Sequence, residues 1–277
     1  MNDKYKVSII TLGCDKNRVD SEVMAGILKS KGYSLVLDQE KADFIIINTC
    51  TFINEARKET KETINRALTY NAKVILAGCH IQRFKDGIVK EFPRAQAFLG
   101  INNIEDIDKI IGRVKKDEIV KSFGDPVFLY TQYNKRLLST PKGSAFIKIG
   151  EGCNHNCTFC IIPKIKGKLR SRTIENIIEE TEYLASLGVK EINLVTQDLN
   201  SYGIDKYGRS MIRKLVEKIS EIEGIEWIRL LYMYPFNFPY EILDLMKENK
   251  KICKYIDLPL QHINNAILKK MGRKSRR

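Results

Sequence analysis

The chain of 277 residues has no long apolar run. Stretches such as Phe44–Ile47 are far shorter than the roughly 20 consecutive apolar residues that a membrane-spanning helix needs. It also lacks an apolar signal core: Met1-Asn2-Asp3-Lys4-Tyr5-Lys6 runs straight into a strand-like segment, so a cytoplasmic protein without membrane association is expected. No internal repeat and no low-complexity tract stands out, which sets aside solenoids and tandem arrays. Acidic residues are in the minority, with 34 Asp and Glu against 47 Lys and Arg. The resulting charge of +13 would draw the chain toward an acidic partner such as RNA or a ribonucleoprotein, or else reflects solvated surface lysines spread along the sequence. Disorder is excluded by 43% hydrophobic content. Full disulfide pairing is excluded as well, because seven cysteines cannot all pair. Cysteines in that number inside a cell point to metal or redox chemistry.

What is present first is alternation. Val7–Leu12, Phe44–Asn48 and Val74–Ala77 read as buried strands, each followed by apolar residues at helical spacing (Val23, Ile27 and Leu28; Ile64 and Leu68; Ile88 and Phe92). A helix over Ile104–Ile111 closes this series, which predicts an N-terminal open parallel α/β sheet domain over 1–120. Residues 121–143, with Gly124, Pro126 and Pro141, read as a connector carrying one or two edge strands. A second series fills 144–277. Its strands are expected at Ala145–Ile149, Glu191–Val195, Ile228–Met233 and Tyr255–Leu258, and its helices at Ile174–Leu187, Ile212–Ile222, Tyr240–Met246 and Asn265–Met271. Four strand–helix units in succession predict a (βα) partial barrel, incomplete at its C-terminus.

The sharpest motif is Cys153-x-x-x-Cys157-x-x-Cys160, directly after the first strand of the second series. Three thiolates so close together can each bind one iron of a cubane cluster and leave the fourth iron open. A zinc site would need a fourth ligand, which His155, squeezed between two of the cysteines, is badly placed to give. Polar residues follow the other strands of this series: Gln197 and Asp198, then Tyr234 with Pro235, then Gln261 and His262. In barrel-like α/β folds such strand ends carry the active site. Cys14, Cys50 and Cys79 lie far apart, yet each comes one or two residues after a strand of the first series. They read either as a second metal site at one sheet edge or as three buried structural thiols. Gly13, Thr49 and Gly78 before them allow close backbone approach. Cys253 has no such placement and reads as structural.

Cys157-Thr158-Phe159-Cys160-Ile161-Ile162-Pro163, with an aromatic before the last cysteine, resembles the radical S-adenosylmethionine superfamily. Thr11-Leu12-Gly13-Cys14, Ile47-Asn48-Thr49-Cys50 and Ala77-Gly78-Cys79 resemble its methylthiotransferase branch, as do Gln197-Asp198 before Tyr202-Gly203 and Asp257-Leu258-Pro259-Leu260-Gln261-His262. The resemblance covers nearly the whole chain. It implies two [4Fe–4S] clusters, on Cys14, Cys50 and Cys79 and on Cys153, Cys157 and Cys160, with S-adenosylmethionine on the open iron of the second. It implies a 5′-deoxyadenosyl radical that takes a hydrogen from an unactivated carbon. Phe159, Gln197, Gln261, Arg170 and Arg172 would bind the cosubstrate. The residues match best the branch that adds a methylthio group to the β-carbon of an aspartate in a small-subunit ribosomal protein. The expected partners are that protein or the ribosome, an electron donor such as flavodoxin or ferredoxin, and a sulfur donor.

A second branch modifies an adenosine beside the tRNA anticodon and usually shows Gln-Met-Asn or Lys-Val-Asn after the first cysteine, where this chain has Asp15-Lys16-Asn17. An inactive iron–sulfur fragment is the remaining alternative, since family members continue past the point matching Met271-Gly272-Arg273 with further strands and a small β-domain called TRAM. Lys164, Lys166, Lys168, Arg170 and Arg172 stand at alternate positions. If extended they share one face, either as a solvated loop or as a basic lip toward the cosubstrate carboxylate or RNA.

Overall fold

The computed structural model describes residues 5–131 and 136–273. The chain divides into two compact units, one of residues 1–139 with 164–166, the other of 140–163 with 167–277.

In the first unit the elements run β1 (Lys6–Thr11), α1 (Asp15–Ser30), β2 (Ser34–Leu35), β3 (Phe44–Thr49), α2 (Asn54–Ala67), β4 (Lys73–Gly78), α3 (Cys79–Phe84), α4 (Asp86–Glu91), β5 (Ala97–Leu99), α5 (Ile107–Val114) and β6 (Val120–Ser122). The strands form one sheet in the order β2-β1-β3-β4-β5-β6, every pairing parallel. All six residues of β3 are buried, as a central strand covered on both faces requires. On one face Ile45, Ile47 and Leu76 pack with Ile64 of α2, Ile81 of α3 and Ile88 of α4. The expected open parallel sheet is present, with β1, β3 and β4 within a residue of their sequence readings and the two-residue β2 unread. β5 went unread because three residues are too few to show a period, and β6 is an edge strand of the kind expected. Residues 121–143 are not a free connector throughout: Ser139 donates from its backbone N–H (2.9 Å) and hydroxyl (2.8 Å) to Glu22 Oε1 of α1. Residues 132–135 of that stretch lie outside the described residues.

The strand order carries functional meaning. From β1 the chain moves outward to β2, then returns to the other side of β1 as β3. The winding thus reverses between β1 and β3, and in open α/β sheets the carboxyl ends at such a reversal are where ligands bind.

The second unit runs β7 (Ser144–Lys148), β8 (Gly150–Glu151), α6 (Ile162–Lys166), β9 (Arg170–Ser171), α7 (Ile174–Ser186), β10 (Glu191–Val195), α8 (Ile204–Tyr207), α9 (Ile212–Ser220), β11 (Trp227–Leu230), α10 (Glu241–Glu248) and α11 (Asn265–Lys270), with Lys164–Lys166 of α6 grouped with the first unit. β11, β10 and β7 form a parallel sheet in that order. β8 and β9 form a short antiparallel pair. Thr173 caps α7 by accepting from the Asn176 N–H. The apolar stripe of α9, with Leu215, Val216 and Ile219, is buried.

The fourth strand expected at Tyr255–Leu258 does not form, and the third stops at Leu230 rather than Met233. Tyr232 turns the chain at φ 67°. Its N–H then bonds the Asp257 carboxylate (3.1 Å), while the Met233 N–H bonds the Asp257 carbonyl (2.9 Å). The side chain of Asp257 thus takes a place that a ladder bond would fill. The sheet edge is extended instead at Ile252, which bridges Ile228, and at Cys253, whose N–H donates to Ile228 O at 2.9 Å. Among the described residues no helix is long and apolar enough to cross a membrane.

Candidate metal centres

In the first unit the three cysteines follow adjacent strands. Cys14 is the N-cap of α1 after β1, Cys50 follows β3, and Cys79 opens α3 after β4. Asn17, almost completely buried, ties the three loops together. Its Nδ2 donates to Leu12 O (2.9 Å) and Thr49 O (3.1 Å), and its Oδ1 lies 3.8 Å from the Cys79 thiol. Asn48 braces this arrangement by donating to Asn17 O at 2.8 Å and Ser21 Oγ at 3.0 Å. Gly13 is at φ 88°, and a Cβ there would fall 2.6 Å from Cys50 Sγ. At Gly78, φ 96°, a Cβ would meet Asn48 Oδ1 at 2.4 Å. Both glycines therefore let the cysteine loops close on one another. Burial pushes the Cys50 thiol up, the Cys14 sulfur adds to that, and the Phe52 and Thr51 amides oppose it by donating to the sulfur.

In the second unit Cys153, Cys157 and Cys160 occupy the loop between β8 and α6. The loop is pinned at its start: Gly152, φ 83°, passes so close to Lys168 O that a Cβ would lie 2.1 Å away. The Cys153 N–H bonds Gly167 O at 3.1 Å, and Asn154 Oδ1 accepts from the Leu169 N–H at 3.0 Å. Its middle is pinned to the end of α11, where Thr158 N–H donates to Met271 O at 3.0 Å and Gly272 faces Asn156 O. Burial raises the Cys153 thiol to about 11 and lifts Cys160 too, against amide donation from His155 and Ile162 respectively. A layer of rings and charges lies over Cys157. His155 hydrogen-bonds the buried Asp198 at 2.7 Å and stacks on Tyr234, with centroids 4.0 Å apart and planes 12° apart. The Tyr234 hydroxyl is 3.8 Å and Arg273 Nη1 3.7 Å from Cys157 Sγ. Among the described residues no three His, Cys, Asp or Glu side chains converge tightly enough for a single metal ion.

The remaining sequence candidates divide. Phe159 is half exposed beside Cys160. Gln197 donates to Glu151, whose carboxylate is also bound by Lys148 at 2.9 Å, so its amide sits at the ends of β8 and β10. Arg170 donates to Lys168 O at 2.9 Å. Arg172, expected at the cosubstrate, is instead buried and committed to Glu180, Asn176 and the Lys148 carbonyl. Gln261, expected at the end of a fourth strand, lies exposed at φ 70° in a loop. The alternating cations do not share an extended face: Lys164 and Lys166 are in α6 with Lys166 buried, and Arg170 is in β9. Sequence reading assigned no role to Asn17, His155 or Arg273. Asn17 and Arg273 sat inside quoted motifs, but their partners are distant in the chain.

Known proteins agree with this layout. Residues 6–100 match the family described as Uncharacterized protein family UPF0004, and residues 147–277 match the Radical SAM superfamily. Curated relatives named Ribosomal protein uS12 methylthiotransferase RimO include one from Acetivibrio thermocellus, 46% identical over 98% of this chain, and one from Clostridioides difficile, 43% identical over 98%. The chain spans 62% of the length of each. Among solved structures, the radical S-adenosylmethionine methyltransferase TsrM from Kitasatospora setae, with cobalamin and a [4Fe–4S] cluster bound, superposes with a TM-score of 0.64 at 15% identity, covering 98% of this chain and 65% of that one. The cobalamin-dependent S-adenosylmethionine radical enzyme OxsB gives 0.62 at 14% identity, covering 98% and 46%. Those two likenesses concern the fold alone. Motifs, fold and relatives together show that the chain belongs to the radical S-adenosylmethionine methylthiotransferase family.

Proposed function

We propose that this chain bears the clusters of a methylthiotransferase that adds a methylthio group to the β-carbon of an aspartate in a small-subunit ribosomal protein. The observation that carries the reading is a three-cysteine set in each unit, one gathered by Asn17 after β1, β3 and β4, the other on the pinned loop after β8. Cys153, Cys157 and Cys160 would hold a [4Fe–4S] cluster whose open iron takes S-adenosylmethionine, and Cys14, Cys50 and Cys79 would hold a second.

The donor chemistry fits such groups. Each thiol needs only its own iron, so a cubane asks for three thiolates on neighbouring loops and not for three ligands around one ion. Cys50, Cys153 and Cys160 each accept from a backbone N–H two residues on, a donation that favours the thiolate a metal requires. When bound, the cluster supplies the electron that cleaves the sulfonium of S-adenosylmethionine, chemistry that no side-chain acid or base offers.

The chain's own residues bind, orient and shield. Gly152 and Gly272 hold the motif loop against its neighbours. Asp198 fixes the His155 ring, which covers Tyr234. Phe159 offers an apolar face to a nucleoside, and Gln197 an amide steered by Glu151. The charge of +13 suits a ribosomal target in the cytoplasm, and a flavodoxin or ferredoxin and a sulfur donor would complete the system.

The test is anaerobic reconstitution with iron and sulfide analysis. Incubation with S-adenosylmethionine, reductant and the ribosomal protein follows, with mass spectrometry of its aspartate peptides. A chain that binds no iron, or that modifies tRNA and not the protein, ends this reading.

A further inference from the structure

Arg273 is a buried cation, 8% exposed, and no carboxylate among the described residues lies within ion-pair distance of it. Its partners are the Pro259 carbonyl (Nη2, 2.8 Å), the face of the Tyr234 ring (4.2 Å to the centroid) and Cys157 Sγ (Nη1, 3.7 Å). A buried guanidinium without a counter-charge is costly, and the sulfur it faces belongs to the thiol set proposed to hold a cluster. The Tyr234 hydroxyl reaches the same sulfur from 3.8 Å.

The position of both donors is over-determined. The Tyr234 ring is held between Arg273 on one side and His155, stacked at 4.0 Å, on the other. His155 is fixed by Asp198, which in turn accepts from the Asn200 N–H at 3.0 Å and from the Ser201 hydroxyl. Arg273 is delivered by Met271 and Gly272, which dock on Asn156–Thr158. Both donors come closest to the Cys157 sulfur, at 3.8 and 3.7 Å, while the Arg273 charge also reaches Cys160.

We propose that Arg273 and the Tyr234 hydroxyl are positioning residues that raise the reduction potential of the cluster held by Cys153, Cys157 and Cys160, acting through the Cys157 sulfur. The inference rests on that cluster assignment. Reduction adds one negative charge to the cluster. A cation and a hydroxyl donor at one sulfur stabilise the reduced form more than the oxidised form, so the potential rises. His155 and Asp198 contribute by fixing the Tyr234 ring.

The test is a potentiometric titration followed by electron paramagnetic resonance. The full chain carries Cys14, Cys50 and Cys79 replaced by Ala, so that only one cluster reports. Arg273→Gln should lower the midpoint so that the reduced-to-oxidised ratio at a fixed poise falls about tenfold, 59 mV for a one-electron couple. Tyr234→Phe keeps the ring and its stacking, and should shift the midpoint the same way by less. Arg273→Lys keeps the charge and should fall between wild type and Gln. Iron bound to the motif should remain at about four per chain in all of them. A normally loaded Arg273→Gln or Tyr234→Phe variant with an unshifted midpoint overturns the inference. If Arg273→Gln loses iron, Tyr234→Phe decides alone. If the parent chain itself takes up no iron, it is the cluster assignment that fails.

Discussion

Replacing Asn17 by Ala perturbs the first cysteine set without touching a thiol. Asn17 is 1% exposed and donates to two carbonyls that belong to different strand ends, Leu12 O and Thr49 O. Each buried hydrogen bond contributes about 1 kcal/mol net, and each carbonyl left without a donor adds a further cost of about 1–3 kcal/mol if water cannot reach it. Water entering the space vacated by the amide would recover part of this, so the loss should be about 2–4 kcal/mol in the first unit. The effect on assembly follows from geometry. With the bridge gone the loops after β1 and β3 separate, and the Cys79 thiol loses its neighbour. Asn17→Ala should therefore load iron poorly at Cys14, Cys50 and Cys79 and normally at Cys153, Cys157 and Cys160, giving about half the wild-type iron. Asn17→Asp should be worse, since a carboxylate donates to neither carbonyl and repels thiolates. The assays are iron and sulfide per chain and hydrogen exchange of the β1 and β3 amides. Full iron together with unchanged protection at Leu12 and Thr49 would refute the reasoning.

Four other outcomes are expected. Replacing Cys153, Cys157 and Cys160 by Ala should halve iron from about eight per chain and abolish reductive cleavage of S-adenosylmethionine, whereas Cys253→Ser should leave both intact, as read by iron analysis and product chromatography. Gly272→Ala puts a Cβ 2.5 Å from Asn156 O at φ 66°, and should cost about 1–3 kcal/mol of stability in thermal unfolding. Gly13→Ala should block Cys50 sterically, because its Cβ would lie 2.6 Å from the sulfur, and iron should fall by about half. Burial holds His80 down at about 4 from the ordinary 6.5, so its contribution to stability is complete above pH 6.5 and lost as pH falls toward 4. The iron-free chain should lose up to about 3 kcal/mol across that window, and His80→Gln should flatten the dependence in acid unfolding.

Local chemistry alone fixed much of this protein. Phe44–Thr49 must be a central strand, because six residues that are all apolar or small and uncharged bury on both faces. Cys153, Cys157 and Cys160 are legible as a candidate set in one dimension, because their spacing puts all three on one short loop. The first trio was legible only as a pattern of cysteines after strands, since bringing residues 65 positions apart to one sheet edge depends on parallel pairing of β1, β3 and β4. Tertiary structure decided the rest. Strand order, and with it the reversal of winding between β1 and β3, is set by how helices cover the sheet and not by any strand's own sequence. The strand expected at Tyr255–Leu258 yields to the side chain of Asp257, which occupies the backbone donor of Tyr232. Arg172 carries the same charge as Arg273, yet one is neutralised by Glu180 and the other is aimed at a sulfur. That difference lies in partners 8 and 116 residues away, and only folding brings a side chain to a partner at such a distance.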